Sequence, residues 1–319
     1  MPSQEYWTER SELNAQRYYR QGDKSLVRLE KLYRKTIEDI NKEISFFYTK
    51  YGVNKMSPVF ETLADGTEVV KSNSVKRVVT PNEAYKYKRL ESLQKQLNVI
   101  LVELSREQNK YMLTELKQIV QGAYYNVYFD TFQGYGVGWQ FSLLDPKVVK
   151  ELATNPVMGQ NFSERVWNNR KLLANQVNQE LKNGIVQGIS TREMSKRLDK
   201  RMNSGYKVAE RLMRTEITNS YNQATLQGYK DSGIVKEYEY LATLDNRTSD
   251  ICQDLDGRVF DIDKATTGLN YPPMHVYCRS TTVSKFNDQA FERRARDEKG
   301  NTYTVSSRLT YKEWAKAHL

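Results

Sequence analysis

Two long stretches repeat their apolar residues at steps of three and four, and that period fixes most of what the chain can fold into. The first carries Leu26, Leu29, Tyr33, Ile37, Ile40, Ile44, Phe47 and Tyr51, one stripe of a helix about seven turns long that Gly52 ends. The second runs from about Pro81 to Gln121, with Leu90, Leu93, Leu97, Ile100, Leu104, Tyr111 and Ile119 on its stripe and Pro81 in its first turn. The two should pack antiparallel, with Gln108, a polar break in the second stripe, fixing register rather than doing chemistry. Between them PVFETL and TEVVKS flank Ala64, Asp65 and Gly66, where Asp-Gly is a favoured turn pair, so residues 53–80 read as a β-hairpin insertion.

Further on, AYYNVYFDTFQGYGVGWQF combines aromatic crowding with the Gly134–Gly138 span and predicts a bend between units. No GK[ST] follows, so it is not a phosphate cradle. Helical spacing resumes at Asp145 through Val148 and Leu152, then Phe162, Val166, Leu173, Val177, Leu181 and Ile185. Ser190 with Glu193 forms a capping box opening a new helix, and a further helix covers about Gly205 to Tyr229. Arg192, Lys196, Arg197, Lys200 and Arg201 belong to the densest positive stretch and are the candidates for contacts to DNA phosphates; the alternative is an exposed helical face with paired charges. Within the last helix Arg214, Glu216, Asn219 and Asn222 are spaced as a polar row, in which a buried Arg or Glu would tie the helix to the next layer.

After Gly233, IVKEYEYLATL alternates and is rich in β formers, so it predicts a strand delivering Asp245. The segment Asp245 to Arg279 then holds both cysteines of the chain, Cys252 and Cys278, and His275, one of its two histidines. Thr248 or Ser249 can cap a short helix, Asp256 and Gly257 can end it, and RVF returns as a strand. Pro272 and Pro273 should hold the next residues extended. Cys252, His275 and Cys278 supply three of the four ligands of a zinc site, with Asp250, Asp254 or Asp256 as candidates for the fourth. The expectation is nonetheless a site without a cofactor, held by hydrogen bonds and aromatic packing. No general base adjoins the three residues as a catalytic zinc would require, and no nucleophile signature surrounds either thiol.

Charge and hydropathy bound the class. A formal charge of +10 suggests an acidic partner such as nucleic acid, although residues 1–150 hold 23 basic against 18 acidic side chains and residues 241–319 hold 12 against 11, as in a mixed, solvated surface. No apolar run of 18 residues is present, excluding a membrane helix, and MPSQEYWTER has no signal-peptide pattern, so a cytoplasmic site of synthesis is expected. Two cysteines in 319 residues do not make a disulfide framework. The fold class is mostly α: long antiparallel helices with a β-hairpin insertion, followed by a small C-terminal α+β module. The divisions expected are 1–145, 146–233, 234–285 and a charged tail, 286–319, in which Thr310 and Glu313 open a short helix that either docks back or reaches a partner.

The Arg-Thr-Glu run at Arg214 to Glu216, the strand into Asp245, the Asp-x-Arg-Thr turn with Arg247 and Thr248, Cys252 ahead of Leu255, Asp256 and Gly257, and the Pro-Pro-x-His-x-x-Cys-Arg run ending at Arg279 occur in an order that resembles the phage Mu F-like head morphogenesis proteins of tailed phages. The likeness extends from about Gln160 to Val283 and covers Pro273 within its Pro-Pro pair. The family often has cysteine where this chain has Ser249 and Ser280, so four thiolates cannot assemble here, and proline where it has Val276. The resemblance implies a minor head protein inside the virion, non-enzymatic, binding the portal protein and packaged double-stranded DNA and meeting scaffold and major capsid protein. The second reading is a metal- or Cys-dependent enzyme, or a toxin-related module acting on nucleic acid or protein, since similar modules occur joined to toxin domains.

Overall fold

The computed structural model describes residues 4–51, 60–62, 68–71, 76–78, 81–135, 143–285, 292–296, 301–306, 309 and 311–318. Its elements in chain order are helix α1 (Gln4–Tyr51), strands β1 (Phe60–Thr62), β2 (Glu68–Lys71) and β3 (Lys76–Val78), helices α2 (Pro81–Tyr135), α3 (Pro146–Ala153), α4 (Phe162–Gln187) and α5 (Thr191–Ser232), strand β4 (Glu237–Leu241), helix α6 (Asp250–Leu255), strands β5 (Val259–Asp261), β6 (Thr281–Ser284), β7 (Glu292–Arg296) and β8 (Thr302–Ser306), and helix α7 (Tyr311–His318). The chain is mostly α, as its periodicity predicts. No helix among the described residues is long and apolar enough to cross a membrane.

The helices are longer than the local signals suggest. α1 starts at Gln4, well before Leu26, and α2 continues through the aromatic stretch where a bend was expected. There Ala123, Tyr124, Val127 and Phe132 are buried, so the crowded aromatics lie at helical spacing on a core face. Residues 136–138 of the expected glycine bend lie outside the described residues. The two helices expected after Ser190 are one, α5. Gly205 lies inside it because a Cβ there would sit 2.8 Å from Leu173 Cδ2, so its lack of a side chain permits close packing on α4. The helical stretch after Asp145, in contrast, is divided into α3 and α4 by a turn at Met158 and Gly159, both at positive φ.

The chain forms two compact units, each assembled from segments distant in sequence. One comprises Arg28–Asn109 and Val166–Ala209 and contains parts of α1, α2, α4 and α5. Its buried side chains include Leu29, Ile40 and Ile44 of α1, Leu93, Leu97 and Leu101 of α2, Val177 and Leu181 of α4, and Met194 and Leu198 of α5. Tyr33 donates to Gln108 Oε1 at 3.3 Å, and the Arg89 guanidinium lies 4.2 Å from the Tyr51 ring centre, so α1 and α2 run antiparallel and Gln108 is a satisfied core amide. Ile37 and Ile100 are only half-buried; Thr36 and Leu101 take the core positions beside them. The insertion is an antiparallel meander in which Phe60 faces Val70 and Val70 faces Arg77, one strand more than the expected hairpin. Ala64, Asp65 and Gly66 lie outside the described residues.

The other unit comprises Met1–Val27, Lys110–Arg165 and Glu210–Leu319. None of the expected divisions at 145, 233 and 285 coincides with a boundary of either unit. The unit holds an antiparallel sheet of order β5-β4-β6 and the hairpin β7-β8. Residues 286–319, expected as a charged tail, therefore contain a hairpin and a helix that return to the body. Leu244, Ala295, Tyr311 and Trp314 form one buried cluster. Arg296 N donates to Leu244 O at 3.1 Å, Tyr311 Oη to Asp245 O at 2.9 Å, and Trp314 Nε1 to Tyr303 Oη at 2.8 Å. The charged run hid this strand, whose one buried residue with described burial, Ala295, is a weak apolar signal. Thr310, the expected cap, is outside the described residues.

Trp314 is fully buried at the centre of this contact. Trp314→Ala is expected to destabilise it by about 3–5 kcal/mol and to open residues 286–319 to protease before the rest of the chain, as read by urea titration and limited proteolysis.

Candidate functional site

The site is built on the C-terminal half of α5. Residues 215–226 are all buried although most are polar: Thr215, Glu216, Thr218, Asn219, Ser220, Asn222, Gln223 and Thr225. A helix buried on every side must find partners for such groups within the protein. Thr218 donates to Cys278 O at 2.9 Å, Asn222 Nδ2 to Ser280 O at 3.3 Å, and Tyr229 Oη to Thr282 O at 3.3 Å. In return Tyr271 Oη donates to Asn222 O at 2.8 Å and Tyr277 N to Thr215 Oγ1 at 3.3 Å. Tyr19 of α1 adds a bond to Ser280 O at 3.1 Å. The irregular segment that leads into β6 is thus held to α5 largely through its own backbone.

The expected polar row is divided by the helical rotation of about 100° per residue. Arg214 pairs with Asp23 of α1 at 2.5 Å and with Glu210 at 3.4 Å. Asn219 donates to Asn155 O at 3.0 Å, and Glu216 lies 3.6 Å from the Arg165 guanidinium. Burial pushes the Glu216 carboxyl up to about 8, against the opposing charge of Arg165. Its Oε1 has no hydrogen-bond partner among the described residues.

Strand β4 carries the chain into the turn at Asp245. Arg279 grips the Asp245 carboxylate with both terminal nitrogens, Nη2 at 2.7 Å from Oδ1 and Nη1 on Oδ2. Arg247 N at 3.0 Å and the Thr248 hydroxyl at 3.2 Å complete the set on Oδ1, while Arg247's guanidinium is exposed, 3.6 Å from Oδ2. Burial by itself would raise the Asp245 pKa; the hydrogen bonds and charge of Arg279 outweigh it and hold the group below its ordinary value. Asp256 Oδ1 accepts from Ala242 N at 2.8 Å, closing the end of β4. Gly257, at φ 73°, is left-handed where the chain leaves α6, and its N–H bonds Tyr240 O at 2.9 Å.

Two local expectations are corrected here. Ser249 stands at the N-cap of α6 but makes no capping bond; its hydroxyl lies 2.6 Å from His275 Nε2. Residues after Pro273, a buried proline joined to Pro272 by a cis peptide, form a turn rather than an extended run: Cys278 N donates to His275 O at 3.2 Å, and Tyr277 has φ 63°. The turn brings Cys278 Sγ to 3.8 Å from Cys252 Sγ, with His275 Nε2 at 3.3 Å from Cys252. Tyr240 Oη also donates to Cys252 at 3.3 Å. The hydrogen bond from Cys278 draws the Cys252 thiol below its usual range against the effect of burial; the same bond, together with burial, pushes Cys278 up. His275, Cys278, Arg279 and Arg247 border a cleft of about 840 Å³ that Arg20 and Asp23 of α1 also line.

The five cations proposed for DNA lie on α5 in the other unit. Arg197 and Arg201 pair with Glu180 at 3.6 and 3.0 Å, and Arg197 also with Glu193 at 3.1 Å, whereas Arg192, Lys196 and Lys200 are exposed. Glu193 N donates to Ser190 Oγ at 3.2 Å, as the capping pattern predicts. Sequence spacing missed Thr218, Tyr271 and Thr243, whose hydroxyl donates to Arg279 O at 3.0 Å, and gave Ser249 a capping role in place of its contact with His275; the burial of a polar run between apolar positions is the one signal that could have marked the α5 members.

Residues 175–283, from within α4 to β6, match a known family profile, that of phage Mu protein F like protein. Residues 175–283 form a Mu F-like segment. Among curated relatives, the chain is similar to an NAD(+)–arginine ADP-ribosyltransferase, EFV, of Enterococcus faecalis, 29% identical over 240 residues, covering 71% of this chain and 48% of that protein. The chain therefore spans about half the length of that relative. It is also similar to minor head protein GP7 of Bacillus phage SPP1, 23% identical over 311 residues and 91% of each chain. No solved structure matches it. The Mu F-like segment is completed from outside its own limits: Gln4 Nε2 donates to Ser284 O at 3.0 Å, and Trp7 packs with Leu241 and Val283.

The raised pKa of Glu216 favours folding below the unfolded carboxyl value, and that contribution is lost as pH rises through about 8. Glu216→Gln is expected to flatten this fall: melting profiles should show the variant gaining most over wild type at pH 8 and little at pH 5.

Proposed function

We propose that this chain is a minor head protein of a tailed phage that acts without catalysis, associating with the portal protein and packaged double-stranded DNA to support head assembly, packaging or ejection. The observation that carries this reading is the extent of the likeness to the SPP1 minor head protein, 91% of both chains, which includes the long helices as well as the Mu F-like segment. The likeness to the Enterococcus protein leaves more than half of that protein without a counterpart, since it covers 48% of it. Scaffold and major capsid protein are further partners under this proposal, and the location is the interior of the phage head after synthesis in the host cytoplasm.

The chemistry of the segment supports the same reading. Asp245, Thr248, Asp256 and Arg279 direct their polar groups into internal hydrogen bonds, the use expected of a structural module. The exposed Arg192, Lys196 and Lys200 are suited to backbone phosphates, which select for positive charge rather than base sequence.

Tagged portal protein co-expressed with this chain should retain it, and labelled NAD+ should leave no label on protein or free arginine. Transfer of label without portal retention would favour the enzymatic reading that the Enterococcus relative offers. A second measurement addresses DNA. Reversing Arg192, Lys196 and Lys200 to Glu should weaken binding to duplex DNA and reduce the slope of log affinity against log salt by about 2–3; an unchanged slope would remove this face from the DNA contact.

A further inference from the structure

The two thiols and the imidazole that meet beneath the 275–278 turn are arranged as metal ligands. Cys252 comes from α6, while His275 and Cys278 come from the turn before β6, so the sequence separation of 26 residues between the two thiols is closed by the fold. One ligand atom from each of the three residues lies within 4.8 Å of the others. For a tetrahedral zinc ion with Zn–S about 2.3 Å and Zn–N about 2.0–2.1 Å, the edges would be about 3.8 Å between sulfurs and about 3.5 Å from sulfur to nitrogen. The structure has 3.8 Å between Cys252 and Cys278 and 3.3 Å from Cys252 to His275 Nε2.

The histidine is oriented for the same task. Its Nδ1 lies 2.8 Å from the Val276 carbonyl, which can only accept, so Nδ1 carries the proton and Nε2 turns its lone pair inward, where the Ser249 hydroxyl and the Cys252 sulfur meet it and a metal ion would take the hydroxyl's place. A backbone carbonyl holding the outer nitrogen is the usual support of a metal-bound imidazole, fixing tautomer and ring plane together. On the inner side Ser249 Oγ lies 2.6 Å from Nε2, placing an oxygen beside the three ligands. The site borders the cleft through His275 and Cys278, which gives an ion and its water a route in.

We propose that Cys252, His275 and Cys278 bind one zinc ion, with the fourth position taken by a water that the Ser249 hydroxyl holds. The ion would fasten α6 to the turn that leads into β6, and so hold the two ends of the Asp245–Arg279 segment together. Thiolate and imidazole donors select zinc over the hard cations magnesium and calcium. Each thiol that binds loses its proton to solvent, so binding weakens as pH falls. This assignment rests on the geometry of the three residues and holds whether or not the chain resides in a phage head.

The test uses the full chain, purified under reducing conditions, stripped with chelator and titrated with Zn2+ and separately with Co2+. One equivalent of zinc should bind, the melting temperature should rise with it, and cobalt should give the visible bands of a tetrahedral site with a sulfur-to-metal charge-transfer band. His275 is part-exposed in a turn, so His275→Ala should fold as wild type does without metal yet bind zinc at least tenfold more weakly. The double change Cys252→Ser, Cys278→Ser should abolish the charge-transfer band, and Ser249→Cys should tighten zinc binding at least tenfold. Absence of stoichiometric zinc, binding equal in wild type and His275→Ala, or a cobalt spectrum without sulfur ligation would each overturn the proposal. So would finding that the two cysteines close to a disulfide in air and that the reduced protein takes up no metal.

Discussion

The structure depends on a helix that is polar and yet buried on every side. From Thr215 to Leu226 α5 has no solvent-facing position, and an interior hydroxyl or amide without a partner costs about 1–3 kcal/mol. Several of these groups meet the backbone of the segment from Tyr271 to Ser284, which is irregular until β6 begins and therefore needs donors and acceptors that no ladder provides. The exchange runs both ways: the helix donates to the irregular chain through Thr218 and Asn222, and the chain donates to the helix through Tyr271 and Tyr277. Apolar neighbours such as Ile217, Tyr221 and Ala224 exclude water from this exchange and make each bond count for more.

From that spine the rest of the C-terminal architecture follows. β4 pairs with both β5 and β6, and its end is fixed by two carboxylates, Asp256 on the Ala242 N–H and Asp245 in the fork of Arg279. The carbonyl of Asp245 then receives Tyr311, so the terminal helix docks on the same turn that the ion pair organises. At the opposite edge the start of α1 closes on β6 through Gln4 and Trp7. The Mu F-like segment is consequently not a detached module: elements before and after it supply part of its core and hydrogen bonding. That arrangement accords with a likeness to the phage SPP1 protein that runs through nearly the whole chain.

Functional potential lies where internal partners do not absorb the side chains. The ion pair at Asp245, the Asp256 cap and the left-handed Gly257 each have a conformational task. The thiols and imidazole are different, because one potential ligand atom from each lies within 4.8 Å of the others beside a cleft. The exposed cations Arg192, Lys196 and Lys200 on the other unit are likewise available, while Arg197 and Arg201 are compensated by Glu180.

By itself the sequence determined the helical class, the long apolar stripes, the capping box at Ser190, the strand into Asp245 and the concentration of Cys252, His275 and Cys278 in one segment. These are local or periodic properties, set by 3.6-residue spacing, by backbone preferences and by residue rarity, and they need no knowledge of neighbours in space. Only the tertiary structure decided that α1 and α5 continue through weakly patterned stretches, because burial against other elements overrides low local periodicity. It also decided that residues 286–319 fold back, that Arg214 and Glu216 turn to different partners, and that Ser249 meets His275 instead of capping α6. Each of those outcomes depends on a contact between residues that chain order keeps apart, and no spacing along the chain encodes the distance at which they meet.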